Sequence, residues 1–194
     1  MKEYGNTQRG FTIIELMVAV TLFAFVAVTM IGAMLAVVDG NRKARATVAA
    51  MDNLNFALES MSREIRVGSS YDCSGLIKTT PSETGDCANG SPILGILSSN
   101  NDVLVYRFNA AEGSIERCGS IGTSCPDATD DNQYIRMTGS NVVIDRLTFH
   151  TQGSGSADNE QPRVTMIIEG TAGDLKANSG FSIQTTVTQR FPDF

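Results

Sequence analysis

The sequence predicts an α+β chain: one long N-terminal helix, apolar and then amphipathic, packed on a C-terminal antiparallel β-sheet. Three observations predict it. Residues 11–38 are almost entirely apolar. Apolar residues then recur at helical spacing from Ala44 to Ile65. After residue 100 come short strand-like segments parted by Gly, Asn, Ser and Asp. Strands clustered behind a single helix form the α+β pattern.

The 194 residues suit one anchored domain better than two independent ones. Lys and Arg number 15 against 21 Asp and Glu, for a formal charge of -6, so nothing points to nucleic-acid binding.

Between Phe11 and Val38 the only ionisable residue is Glu15. A helix over that run would rise about 42 Å against a hydrocarbon core of about 30 Å, enough to span a bilayer. A cleaved secretory signal has an apolar region of only ~7–15 residues. A plain anchor fits the length but has no use for Glu15, since a carboxylate near the centre of a span costs roughly 2.5–3.5 kcal/mol, less near an end. Cleavage between Gly10 and Phe11 would free an amine at Phe11, four residues from Glu15 on the same helix face. The two could pair within one chain, where the carboxylate also suits the helix dipole. They could instead pair between staggered chains, setting register by neutralising two charges in apolar surroundings.

The stretch "RGFTIIELMVAVTLFAFVAVTM" resembles the class III signal of type IV prepilins and type II secretion pseudopilins. That pattern is a short polar leader ending in glycine, then phenylalanine, then glutamate at the fifth mature position; Gly10, Phe11 and Glu15 match it in turn. The resemblance implies that a membrane prepilin peptidase cuts after Gly10 and N-methylates Phe11. It also implies that Glu15 meets a neighbouring subunit's N-terminus during fibre assembly. Gly5 is a poor alternative cut site, because Asn6 to Arg9 follow it. The flanking charges (Lys2, Glu3 and Arg9 before the run; Arg42, Lys43 and Arg45 after it) do not orient the span. Orientation rests on the resemblance: N-terminus in the cytoplasm, C-terminal domain outside the inner membrane.

Beyond the span, Ala44, Val48, Met51, Leu54, Leu58, Met61 and Ile65 form one helical stripe, expected to rest on the chain's own sheet. Gly68 and two serines close the helix. From Phe11 to Val67 it would be about 85 Å long, with Gly32 and Gly40 as points of flexure. Residues 68–100 read as loop. Strands are expected at 102–108, 114–118, 133–137, 142–150, 163–170 and 181–190, the first two joined as a hairpin through Ala110–Gly113. The expected division is a leader at 1–10, an apolar helix at 11–38, an amphipathic helix at 39–67 and an extracytoplasmic domain at 68–194. The segments "LESMSREIR", "DVLVYRF", "VVIDRLTFH" and "FSIQTTVTQR" resemble J-type minor pseudopilins and W-type minor pilins.

The four cysteines lie in polar, turn-rich stretches. An even count there favours disulfides made outside the cytosol. Three connectivities are open; spacing favours Cys73–Cys87 and Cys118–Cys125. A zinc site is disfavoured because no C-x-x-C pair occurs and His150 is the sole histidine. His150 reads as a surface or packing residue. Asp127, Asp130 and Asp131 could offer oxygen ligands, but their spacing is not that of an EF-hand, and a solvated acidic turn is expected. No nucleophile motif is present. The expectation is a non-enzymatic structural subunit without cofactor. Its expected partners are other pilin subunits, the prepilin peptidase and the inner membrane, not nucleic acid. The alternative is an anchored extracytoplasmic binding domain that never polymerises.

Overall fold

The computed structural model describes residues 10–73, 85–119, 122–125, 130–155, 160–174 and 177–190, leaving aside the side chains at 174, 177 and 178. One helix, α1 (Ile13–Val67), is followed by eight strands: β1 (Ser69–Asp72), β2 (Ile93–Leu97), β3 (Val103–Asn109), β4 (Ser114–Cys118), β5 (Tyr134–Arg136), β6 (Val142–Gln152), β7 (Arg163–Asp174) and β8 (Ala177–Thr188). This is the α+β, pilin-like arrangement, with a long N-terminal helix on antiparallel β-structure. The strands form two sheets, a five-stranded β1-β2-β3-β4-β5 meander and a three-stranded β6-β7-β8 meander. By compactness the chain divides into Met1–Arg42 and Lys43–Phe194.

In the second unit the main core lies between α1 and both sheets. Ala50, Leu54, Leu58, Met61 and Ile65 from the helix meet Tyr71, Leu94, Ile96, Leu104, Tyr106 and Ile115 of the first sheet. The second sheet adds Val142, Ile144, Leu147, Phe149, Val164, Met166 and Ile168. The helical stripe is shorter than its sequence period. Ala44 and Val48 are exposed, whereas Ala50 and Ala57 are buried. Periodicity marks an apolar face but not where the sheet beneath it begins.

Two strands fall within the stretch read as loop. β2 is a short apolar run, "ILGIL", hidden among Gly, Ser and Pro; it buries Leu94 and Ile96 and pairs with β3 from Ile93↔Arg107 to Leu97↔Val103. β1 has no apolar run at all. It is held by Tyr71, which is buried and donates its hydroxyl to the carbonyls of Ile65 at 2.8 Å and Gly68 at 3.1 Å. The Ile65 carbonyl is in the last turn of α1, where carbonyls lack an ordinary intrahelical partner, and it accepts from Gly68 N at 3.2 Å as well. The Arg190 amide takes another, the Arg66 carbonyl, at 2.8 Å.

β3 is covered on both faces, which explains its nearly unbroken apolar sequence. Leu104 and Tyr106 face the main core. Val105 joins Cys118 and Cys125 in a second cluster with Ile93, Val103 and Tyr134. The Cys118–Cys125 disulfide lies in that cluster, and the Cys125 amide donates to the Val103 carbonyl at 2.7 Å. A second disulfide joins Cys73, after β1, to Cys87 before β2. The β3–β4 turn reaches the second sheet through Gly113, whose carbonyl accepts from Ile144 N at 2.7 Å. Gly113 has φ +56, and a Cβ there would come within 2.8 Å of Val143 Cγ1, so glycine serves both the turn and the approach.

Glu64 ties the helix to the first sheet. It accepts from the Tyr106 hydroxyl and pairs with Arg117 at 2.8 Å. Asn53 of α1 donates to Asn141 beside β6 at 3.2 Å. Burial, then the Glu64 carboxylate, raise the Tyr106 pKa far above the ordinary value near 10.0. The folded chain therefore keeps a proton that the unfolded chain loses in alkali. Stability is fully present below about pH 10 and declines as pH rises beyond it. Tyr106→Phe should cost about 1.5–3 kcal/mol, the value of a hydrogen bond to a charged group, and should flatten that alkaline decline. Urea unfolding from about pH 8 to about pH 11 measures both; equal stability and equal pH dependence in the two proteins would contradict the assignment.

Candidate processing and assembly site

The chain enters α1 through Gly10, Phe11 and Thr12, none of which is helical. Gly10 is exposed, and among the described residues nothing lies within 4 Å of where its Cβ would stand. Phe11 is 84% exposed. The Gly10–Phe11 bond therefore lies in exposed, non-helical chain ahead of the first helical turn.

Glu15 lies in that first turn. The Thr12 carbonyl accepts from Leu16 N at 3.2 Å, which puts Thr12 at the N-cap. Its hydroxyl accepts from Glu15 N at 3.4 Å and approaches Glu15 Oε2 at 3.5 Å. Thr12 thus caps the helix start in a Thr-x-x-Glu sequence, its hydroxyl answering the orphan amide of Glu15. Sequence reasoning passed over Thr12, although the spacing to Glu15 was readable. Glu15 thus has a role within its own chain, and its carboxylate remains at the exposed start of the apolar helix.

The apolar stretch that follows is bare. Among its exposed side chains are Ile13, Ile14, Leu16, Met17, Leu22, Phe23, Phe25, Met30, Ile31, Met34 and Leu35. The helix is long and apolar enough to cross a membrane, and its most apolar window is 0% buried within the chain. Its hydroxyls are satisfied internally: Thr21 donates to the carbonyls of Met17 at 3.1 Å and Val18 at 2.9 Å, and Thr29 to that of Val26 at 2.8 Å. An apolar solvent demands such self-sufficiency.

The other candidate residues have structural contacts. Asp130 caps a 3₁₀ turn at Asp131–Gln133, accepting from Asn132 N and Nδ2 at 3.0 Å each and from Gln133 Nε2 at 3.2 Å. Those bonds, the Asn132 amide first, lower its pKa. Asp131 pairs with Arg107 at 2.5 Å. Arg107 also bonds Glu116 at 2.8 Å and lies 3.6 Å from the centre of the Tyr134 ring. Asp127 lies outside the described residues, as do Lys2, Glu3, Gly5 and Arg9. Among the described residues, no three His, Cys, Asp or Glu side chains gather as a metal site. His150 Nδ1 lies 3.2 Å from the Ala88 carbonyl, and its ring packs against Gly90.

No curated protein and no solved structure is matched by this chain. Residues 5–31 match the family described as the prokaryotic N-terminal methylation motif, a stretch that takes in Gly10, Phe11, Thr12, Glu15 and the first turns of the bare helix.

Proposed function

We propose that this protein is a minor pilin or pseudopilin. In this reading residues 1–10 are a leader removed by a prepilin peptidase, and Phe11 becomes the N-methylated first residue. Residues 11–38 anchor the chain in the inner membrane and later join a fibre. Residues 39–67 carry the helix into an extracytoplasmic domain at 68–194. One observation carries the reading: an exposed glycine, an exposed phenylalanine and a carboxylate four residues on, at the head of an apolar helix whose most apolar window is 0% buried among the described residues. The match of residues 5–31 to the methylation-motif family supports processing. That family comprises structural subunits, which fits a non-enzymatic role.

A minor rather than a major subunit is favoured by the elaborate loops, the two disulfides and the likeness of the later segments to J-type and W-type proteins. Such a subunit would act in a small complex that starts assembly near the fibre tip. In the fibre, the Phe11 amine of one chain would meet the Glu15 carboxylate of a neighbour. Glu15 lies in the first turn of α1, a few residues behind Phe11, shallow enough for the interface while the chain waits in the bilayer.

Two substitutions separate processing from assembly. Gly10→Val puts a branched side chain at the scissile bond, so the full-length chain should accumulate in the membrane; immunoblotting beside wild type reads this, and an unchanged mature chain sinks the reading. Glu15→Ala removes a cost of insertion, so cleavage and membrane insertion should be normal. Docking to sister subunits should weaken, because removing one member of a buried ion pair typically costs ~3–5 kcal/mol. Co-purification and fibre counts measure it; normal complexes and normal fibre number would leave an anchored domain that does not polymerise.

A further inference from the structure

Arg107, Arg117, Arg136 and Arg146 pair with carboxylates, and Arg163 bonds Gln152. Arg42, Lys43 and Arg45 differ. They are the densest group of cations in the chain, they lie on α1 just past its apolar run, and all three are exposed. Among the described residues none of them makes an ion pair. Asp39, the nearest acid in the sequence, is also without an ion pair there.

In the anchored reading proposed above, these cations stand on the extracytoplasmic side of the span. That is the costly side, because Lys and Arg next to a span favour the cytoplasm. Once residues 1–10 are removed, no Lys or Arg between Phe11 and Asn41 offsets them. Cations kept there against that bias call for a counter-charge at the same depth.

The length of the helix identifies it. Glu15 and Arg42 both lie in α1, about 40 Å apart along its axis, and a bilayer with its headgroups is about 40–45 Å thick. With Glu15 in one headgroup layer, Arg42 therefore reaches the other. Residues 16–38, about 34 Å of helix, remain for about 30 Å of hydrocarbon, a match that modest tilt completes. Arg42 and Arg45, three residues apart, share a face, and Lys43 lies to one side of it. A headgroup layer surrounds a helix and can answer cations on several sides; a carboxylate on a partner protein answers one. We infer that Arg42, Lys43 and Arg45 form a binding site for the phosphate groups of anionic lipids in the outer leaflet of the inner membrane. The inference rests on the anchored reading. Guanidinium forks match phosphate oxygens, and the ammonium adds a point charge. Bound in this way the subunit waits at a fixed depth, and entry into a fibre must break these contacts.

The chain has no tryptophan, so Leu35→Trp introduces a single fluorescent reporter. Leu35 is exposed and lies two turns before Arg42 on the same face, about 10 Å deeper toward the acyl chains. The full chain, purified from its native membrane, is reconstituted in phosphatidylcholine vesicles. These carry equal small shares of either brominated phosphatidylglycerol or brominated phosphatidylcholine, whose acyl chains quench tryptophan. Each cation near an anionic surface contributes about fivefold, so the anionic lipid should gather at the reporter at least about tenfold better than the zwitterionic one. Replacing Arg42, Lys43 and Arg45 together by Gln should abolish the preference while both lipids still quench. Glycerophosphate added at constant ionic strength should leave the preference in place; its loss would assign the cluster to a soluble phosphate and overturn the lipid site. Equal quenching by the two lipids with the cluster intact would overturn the lipid site alone and leave the cations to an acidic partner protein. A preference that survives the triple Gln variant would also overturn it. Absence of quenching by either lipid would overturn the anchored reading, and the lipid site with it.

Discussion

A helix that is apolar on every side has no stable place in water, and the rest of this protein follows from that constraint. Such a helix belongs in lipid or among other helices, where each backbone and hydroxyl group must find its partner locally. α1 meets that demand with Thr21 and Thr29 bonded to the preceding turn. The one ionisable group in residues 11–38 is at the end where a charge is cheapest, in the first turn and next to the N-cap.

Further along, the same helix obeys the ordinary rule for globular proteins, with one face buried and the others wet. Ala50 to Ile65 bury that face under both sheets, while Phe56 remains exposed. Packing is supplemented by directional contacts: Glu64 to Tyr106 and Arg117, Tyr71 to the helix-end carbonyls, and Asn53 to Asn141. These contacts fix how the helix end sits on the sheets, because a buried hydroxyl or carboxylate is costly in any arrangement that leaves it unpaired. The Cys118–Cys125 cluster then closes the outer face of β3 and β4.

The sequence made legible those features that local chemistry alone decides. The extent of α1, the hairpin through Gly113 and the four later strands follow from period, length and turn residues. The Gly10, Phe11, Glu15 pattern is legible because a carboxylate in a long apolar run is costly and therefore informative. What escaped depends on distant partners. β1 exists through the contacts of Tyr71, and β2 is too short to stand out from its Gly, Ser and Pro neighbours. Ala50 and Ala57 are buried because the sheets begin there, while Ala44 and Val48 continue the same period without a sheet beneath them. The division into two sheets depends on bonds such as Ser91 to Phe149, which no local pattern announces.

The central claim is that the apolar half of α1 stays on the working protein and begins at a freed, modified Phe11. Intact-mass and N-terminal analysis of the wild-type chain from its native envelope tests this most directly. The account predicts a chain that starts at Phe11, carries one added methyl group on that amine and keeps the whole apolar stretch. A chain that still begins at Met1, or one cut after residue 38 so that the helix is discarded as an ordinary signal, would contradict it.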